Sequence, residues 1–156
     1  MAEEDIPVIV AAVEAGGTSF KVAVAQLKTG TIPQILHRSN IETRDDPLVT
    51  VADCITFFET HKPEKGYDSL GVASFGPVGL DDSTDTYGCI LPGSPKANWR
   101  KVDLLTPLTK ACKGTKNLGV KIETDVNAPA FAEYCFAKNE ISSVAYVTVG
   151  TGVGEF

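Results

Sequence analysis

The segment at residues 7–27, PVIVAAVEAGGTSFKVAVAQL, decides the fold. Residues 8–15 form a short apolar run rich in Val and Ala, which predicts a buried strand. Residues 19–27 alternate between two faces, as a strand with one buried side does. The two glycines at 16–17 lie between these runs, where the chain must reverse direction. We therefore predict an antiparallel strand pair whose tight turn follows a single carboxylate, Glu14.

The order of the remaining elements predicts an α/β domain with a mixed sheet. Residues 34–41 predict a third strand, so the chain opens with a three-stranded antiparallel meander. Helices and strands then alternate, which is typical of parallel pairing. The predicted elements are a helix over 47–61, a strand over 69–76, a long loop over 77–100, a helix over 102–112, a strand over 120–125, a helix over 127–138 and a strand over 143–150.

Composition and charge narrow the class of protein. The 156 residues are 43% hydrophobic and 22% charged, which is ordinary for a globular domain. A formal net charge of −6 argues against general affinity for nucleic acid or anionic membrane. The acidic N-terminus does not resemble a signal peptide, and no apolar run could span a bilayer, so we expect a cytoplasmic protein. His37 and His61 are expected to stand apart, and four cysteines are expected to be free thiols: Cys54, Cys89, Cys112 and Cys135.

A glycine-rich loop occurs near each end of the sequence. In EAGGT, residues 14–18, glycine lets the backbone approach a ligand, and the N–H groups and the Thr18 hydroxyl suit phosphate oxygens. Glu14 suits a magnesium ion held through water, whereas the other interpretation of the segment is an ordinary hairpin turn. TVGTGVG, residues 148–154, repeats the pattern, and two such loops suit a phosphate chain held from both sides. The P-loop signature is absent, and a Rossmann motif would lead into a helix.

Two further segments carry polar groups suited to a sugar and its chemistry. Asp125 is expected at a strand end, where a carboxylate can accept a proton from a hydroxyl. Its other interpretation is a loop or capping acid, and Asn127 is expected to cap the next helix. Asn98 offers a donor and an acceptor, and Trp99 an apolar plate, which together suit a polyol. A buried core anchor is the equal alternative for Trp99.

These segments, in this order, resemble the ROK family (repressor, open reading frame, kinase), most closely its bacterial fructokinase branch. The likeness rests on EAGGT, SFGPV, NWRKVDLL, TDVNA and VTVGTGVG, and it runs from about residue 8 to 154. It implies an actin-like, ribonuclease-H-like ATPase fold of two lobes around a cleft. It also implies magnesium-dependent transfer of the γ-phosphoryl group of ATP to a hexose. The segment at 76–105 resembles the fructokinase branch and favours fructose, giving fructose 6-phosphate.

The resemblance implies a role for each matching residue. Asp125 would be the general base. Members of the family usually carry Lys after the GGT triplet, whereas Ser19 stands there in this chain and Lys21 follows two residues later. The residues expected to line the phosphates are Gly16, Gly17, Thr18, Gly150, Thr151 and Gly152, and those expected at the sugar are Gly76, Pro77, Asn98 and Asn127.

The resemblance also implies that the chain contains parts of two lobes. Residues 1–142 would form the N-terminal sugar-binding lobe, and 143–156 the first strand and phosphate loop of a second lobe. The rest of that lobe, with its structural zinc and its adenosine-binding segment, would be missing, so little activity is expected from the chain alone. A homodimer is one assembly consistent with the family. The other functions considered are a glucose or N-acetylhexosamine kinase, a non-catalytic sugar-sensing domain, and an actin-like or chaperone ATPase, which would lack the NWR sugar loop.

Overall fold

The computed structural model describes residues 7–137, 141–149 and 153–155, which form a five-stranded mixed sheet with helices and a separate two-stranded sheet. The strand order in the main sheet is β3-β2-β1-β4-β5. In chain order the elements are β1 (Val8–Ala15), β2 (Ser19–Leu27), β3 (Gln34–Glu42), α1 (Pro47–Thr60), β4 (Ser69–Ser74), a 3₁₀ turn (Ala97–Trp99), α2 (Leu105–Cys112), β5 (Gly119–Thr124), α3 (Asn127–Phe136), β6 (Val147–Val149) and β7 (Val153–Glu155).

The pairing of the strands confirms the predicted mixed sheet. Strand β2 runs antiparallel to both β1 and β3, so the chain opens with the expected meander. Strand β4 then pairs parallel with β1, and β5 pairs parallel with β4. Because β1, β4 and β5 run in the same direction, their carboxyl ends lie at one edge of the sheet. The loops that follow these three strands are therefore neighbours.

The two faces of the sheet differ in their covering. Helices α1 and α2 pack on one face, against side chains that alternate along each strand. In β1, for example, Ala11, Val13 and Ala15 are buried, whereas Ala12 and Glu14 face the other way. That other face carries an open groove of about 1060 Å³, bounded on one side by residues of α3. None of the helices in the described ranges is both long and apolar enough to cross a membrane.

Local hydrogen bonds explain where the helices begin. Helix α1 begins at Pro47, as the sequence predicts, and the Asp46 side chain accepts from the Leu48 N–H at 2.9 Å. Helix α2 begins at residue 105 rather than at 102, because Asp103 precedes it and accepts from the Thr106 N–H at 3.0 Å.

Two expectations about the fold are wrong. The strand expected over 143–150 does not include residues 143–146: it is observed at Val147–Val149, where it pairs antiparallel with β7, and residue 150 lies outside the described residues. His37 and His61 do not stand apart, because β3 and the end of α1 bring their ring centroids to 4.1 Å. His37 and His61 are far apart in the sequence, so no local pattern reveals their contact.

Candidate active site

Three loops meet at the carboxyl edge of β1, β4 and β5. The register places Ala15 opposite Ser74, and Ser74 opposite Thr124. Two backbone hydrogen bonds extend this alignment past the strand ends. The Phe75 N–H donates to the Ala15 carbonyl at 2.8 Å, and the Asp125 N–H donates to the Ser74 carbonyl at 2.9 Å. Ligands of open α/β sheets bind outside the carboxyl ends of the strands, so this edge is the candidate site.

Asp125 follows β5 directly and lines the groove together with Glu14. Burial raises the pKa of the Asp125 carboxyl above its ordinary value, and the negative charge of Glu14 raises it further. A hydrogen bond to the backbone of Asp125 acts in the opposite direction. A carboxylate that is more basic than usual, and held on a rigid strand end, is suited to accept a proton from a hydroxyl.

Glu14 lies on the exposed side of β1, and its Oε1 is 2.8 Å from the Lys21 Nζ on β2. Among the described residues, no group of three or more His, Cys, Asp or Glu side chains is placed to hold a metal ion. Magnesium, however, is usually held by only one or two carboxylates, with water and substrate phosphates completing its coordination. The exposed carboxylate of Glu14 is of the type that can hold magnesium through water.

The first glycine loop has a tightly defined backbone. The Gly16 N–H donates to the Ser19 carbonyl at 3.0 Å, and a Cβ on Gly16 would lie 2.7 Å from that oxygen. A side chain therefore cannot be accommodated at residue 16 without a shift of the backbone. Gly17 and Thr18 are exposed, which leaves this part of the loop open to a ligand.

Lys96 is a candidate functional residue that sequence reasoning missed. A Cβ placed on Gly17 would lie 3.7 Å from the Lys96 Cε, so the lysine side chain passes directly beside the glycine loop. In the part of the chain that the structure describes, the Lys96 ammonium forms no ion pair, whereas Lys21 is paired with Glu14. The sequence feature that could have identified Lys96 is the SPKANWR segment, in which Lys96 lies two residues before Asn98.

Trp99 is a core anchor, and its interpretation as an apolar plate for a sugar is wrong. The side chain is 1% exposed, and its ring centroid lies 5.3 Å from that of Phe20 and 5.5 Å from that of Phe75. Its indole N–H donates to the Arg44 carbonyl at 3.0 Å. These contacts fix the 3₁₀ turn that carries Asn98, whose own side chain is exposed.

The remaining predicted residues fall into three groups. Gly76 and Pro77 follow β4 at the same edge and are joined by a cis peptide bond. Asn127 does not cap α3, because it is the first helical residue and its own N–H donates to the Thr124 Oγ1 at 3.0 Å. Its carboxamide lies 3.3 Å from the Glu123 Oε2 on the exposed side of the helix. Three predicted phosphate-loop residues lie outside the described residues, although β6 and β7 flank them: Gly150, Thr151 and Gly152.

Comparisons with known proteins find relatives that cover most of this chain. The sequence profile of the ROK family matches residues 10–155. A fructokinase of Streptococcus mutans is 36% identical over 142 residues, which is 91% of this chain and 44% of that protein. A fructokinase of Zymomonas mobilis is 34% identical over 145 residues, 91% of this chain and 45% of that protein. The chain thus spans less than half the length of these curated relatives.

A solved structure supports the same fold. The ROK family glucokinase from Streptomyces griseus, in complex with glucose and AMPPNP, superposes with a TM-score of 0.65 at 25% identity. The match covers 94% of this chain and 43% of the glucokinase. This likeness confirms the predicted actin-like, ribonuclease-H-like architecture.

Proposed function

The chain belongs to the ROK family, and from that premise we propose that the whole protein is an ATP-dependent hexose kinase that converts fructose to fructose 6-phosphate. The observation that carries the proposal is the meeting of a glycine loop, a sugar-side loop and Asp125 at one sheet edge. Phosphoryl transfer needs mainly positioning and neutralisation of charge, and these groups are suited to both.

Asp125 is the proposed general base. It accepts the proton of the attacking hydroxyl while the γ-phosphoryl group is transferred. A base works best when its pKa approaches the working pH, and burial and Glu14 raise the pKa of Asp125 in that direction. The backbone of Asp125 is held by the bond between its N–H and the Ser74 carbonyl, which fixes the point on the sheet edge from which the carboxylate extends.

The phosphates are proposed to lie along the first glycine loop. The backbone N–H groups of Gly17 and Thr18 supply donors, since the Gly16 N–H is bonded to the Ser19 carbonyl, and the Lys96 ammonium supplies a positive charge beside Gly17. Magnesium held near Glu14 would neutralise further phosphate charge when it is bound. The second glycine loop, at residues 150–152, is proposed to complete the grip on the phosphates.

Support for fructose as the substrate comes from the relatives and from residues 76–105, which resemble the fructokinase branch. The two curated relatives above are named as fructokinases. We propose that Asn98, Asn127, Gly76 and Pro77 contact the sugar. Glucose is the alternative acceptor, because the match to the glucokinase superposed above covers nearly the whole of this chain.

We further propose that residues 1–142 belong to the sugar-side lobe and that 143–156 begin a nucleotide-side lobe. Strands β6 and β7 pair only with each other within the described residues, separately from the five-stranded sheet. That separation supports a boundary near residue 142.

The test is a measurement of ADP release by the whole protein with ATP, magnesium and one sugar at a time. We expect fructose to give the highest kcat/KM and fructose 6-phosphate as the product, with glucose, mannose and N-acetylglucosamine as comparisons. Equal ADP release without sugar would instead indicate an ATPase. Sugar binding in calorimetry without any phosphorylated product would indicate a sensor.

A further inference from the structure

A short segment after β3 contacts both loops that the proposed reaction uses. We call Thr43 and Arg44 the connector. The Thr43 Oγ1 donates to the Gly16 carbonyl at 2.8 Å, and the Thr43 N–H donates to the Thr18 carbonyl at 3.0 Å. On the other side, the Arg44 carbonyl accepts from the Trp99 indole at 3.0 Å. Two adjacent residues thus join the glycine loop to the 3₁₀ turn that carries Asn98.

The connector is itself held firmly on the first helix. The Arg44 N–H donates to the Thr50 Oγ1 at 3.0 Å, and that hydroxyl donates to the Glu42 carbonyl at 3.1 Å. Thr50 is fully buried, and the Arg44 guanidinium pairs with Asp53 on the same helix. A segment held at this many points has little freedom of its own.

The Thr43 contacts also orient the glycine loop. Glycine gives residues 16–17 a wide range of backbone conformations, which a ligand would otherwise have to restrict on binding. A trans peptide is planar, with its C=O and N–H on opposite sides. Since the Gly16 carbonyl points to the Thr43 hydroxyl, the Gly17 N–H points away from Thr43. The hydroxyl therefore fixes the direction of one loop donor, which points away from Thr43.

We propose that Thr43 is a positioning residue for the phosphates, and that the connector makes nucleotide and sugar bind cooperatively. The proposal rests on the kinase function proposed above. Sugar contacts at Asn98 would restrict the turn that Trp99 anchors, and the connector would restrict the glycine loop in turn. A nucleotide then meets a loop that is already ordered and binds more tightly. By linkage, the nucleotide strengthens sugar binding by the same factor.

The experiment is calorimetric titration of the whole protein with AMPPNP and magnesium, in the absence and presence of saturating fructose. Thr43→Val keeps the shape of the side chain and removes the bond to Gly16. We expect it to weaken AMPPNP binding in the presence of fructose about 3- to 10-fold, the equivalent of one hydrogen bond. Fructose affinity without nucleotide should be unchanged, and Thr43→Ser should restore the wild-type values.

Two further variants complete the test. Trp99→Phe keeps an aromatic ring but removes the donor to Arg44, so it should reduce the effect of fructose on AMPPNP affinity while leaving AMPPNP affinity without fructose unchanged. Thr60→Val is the control, because the exposed Thr60 hydroxyl donates only to the Thr56 carbonyl of its own helix, at 2.7 Å. It should behave as wild type in both titrations.

The outcomes separate this inference from the proposed function. If the wild-type protein phosphorylates fructose but Thr43→Val binds AMPPNP as the wild type does, the positioning role is refuted and the kinase function stands. If Thr43→Val weakens AMPPNP binding by the same factor with and without fructose, so that fructose still strengthens AMPPNP binding as much as in the wild type, the cooperative role of the connector is refuted. If the wild-type protein transfers phosphate to no sugar, the proposed function fails on its own measurement.

Discussion

Replacing Asp125 by Asn tests the central chemical claim. The two side chains have nearly the same shape, and the backbone N–H of residue 125 keeps its bond to the Ser74 carbonyl. The substitution removes only the charge and the ability to take up a proton. Its effect should therefore fall on the rate of the chemical step rather than on the fold or on sugar binding.

The expected loss of kcat in Asp125→Asn follows from the proposed role of Asp125 as general base. Proton transfer by a positioned side chain contributes about 10²- to 10⁴-fold to a rate, which is about 2.7 to 5.5 kcal/mol of activation free energy. We expect kcat of Asp125→Asn to fall by that factor, with the KM for fructose within about threefold because Asn can still bond to a hydroxyl. A structural role for Asp125 would instead change KM and stability together.

The raised pKa predicts a second, independent signature in stability. The pKa of Asp125 in the folded protein lies above its unfolded value, since burial and Glu14 disfavour the charged form. The ionised carboxylate therefore lowers stability at neutral pH, and this penalty disappears as the pH falls below the unfolded pKa. Asp125→Asn should be at least as stable as the wild type at pH 7, with the difference vanishing in acid.

The assay pairs initial rates from pH 5 to 9 with urea unfolding of the whole protein at pH 7 and in acid. Asp82→Asn is the matched control, since Asp82 is an exposed loop carboxylate away from the groove lining. Asp125→Asn turnover within tenfold of the wild type would refute the assignment of Asp125 as base. An equal loss of rate in Asp125→Asn and Asp82→Asn would also refute that assignment.

Three more outcomes are expected. Glu14→Gln should move the acid limb of the rate profile to lower pH, because the pKa of Asp125 falls without its negative neighbour, and should raise the magnesium concentration needed for half-maximal rate. Lys96→Met should raise the KM for ATP about 10-fold or more, the equivalent of a charge-assisted hydrogen bond, with Lys96→Arg recovering most of it. Thr50→Val should lower the free energy of unfolding in urea by about 1 to 3 kcal/mol, because the Arg44 N–H loses its buried acceptor.

The sequence predicts the strands and helices that carry the site because these elements follow local patterns. Alternating side chains in residues 19–27 and the capped proline start of α1 are visible one segment at a time. The alternation of strands and helices then predicts parallel pairing, and parallel pairing places residues 16–18, 75–77 and Asp125 at one edge. Each step needs only short-range information and a general rule of sheet topology.

The residues that sequence reasoning missed act across long separations. Thr43 bonds to Gly16 from 27 residues away, and the indole of Trp99 bonds to Arg44 from 55 residues away. Whether Trp99 faced a sugar or the core depended on Phe20 and Phe75, which no pattern around Trp99 reveals. Tertiary contacts of this kind depend on the assembled sheet, so they become visible only once strand order and register are known.

Charge at the sheet edge explains why the geometry of the glycine loop carries so much of the proposed function. The groove is lined by three acidic and three basic side chains: Glu14, Glu123 and Asp125, and Lys21, Arg38 and Lys121. With Lys96 beside the glycine loop, the formal charges of these groups sum to +1, so they supply only a weak net attraction for a triphosphate. Under the proposed function, affinity must then come mainly from correctly aimed backbone donors and from magnesium bound with the nucleotide. A loop of two glycines aims its donors reliably only when other groups hold it, which is why the hydroxyl of Thr43, although it touches no substrate, should matter to nucleotide binding.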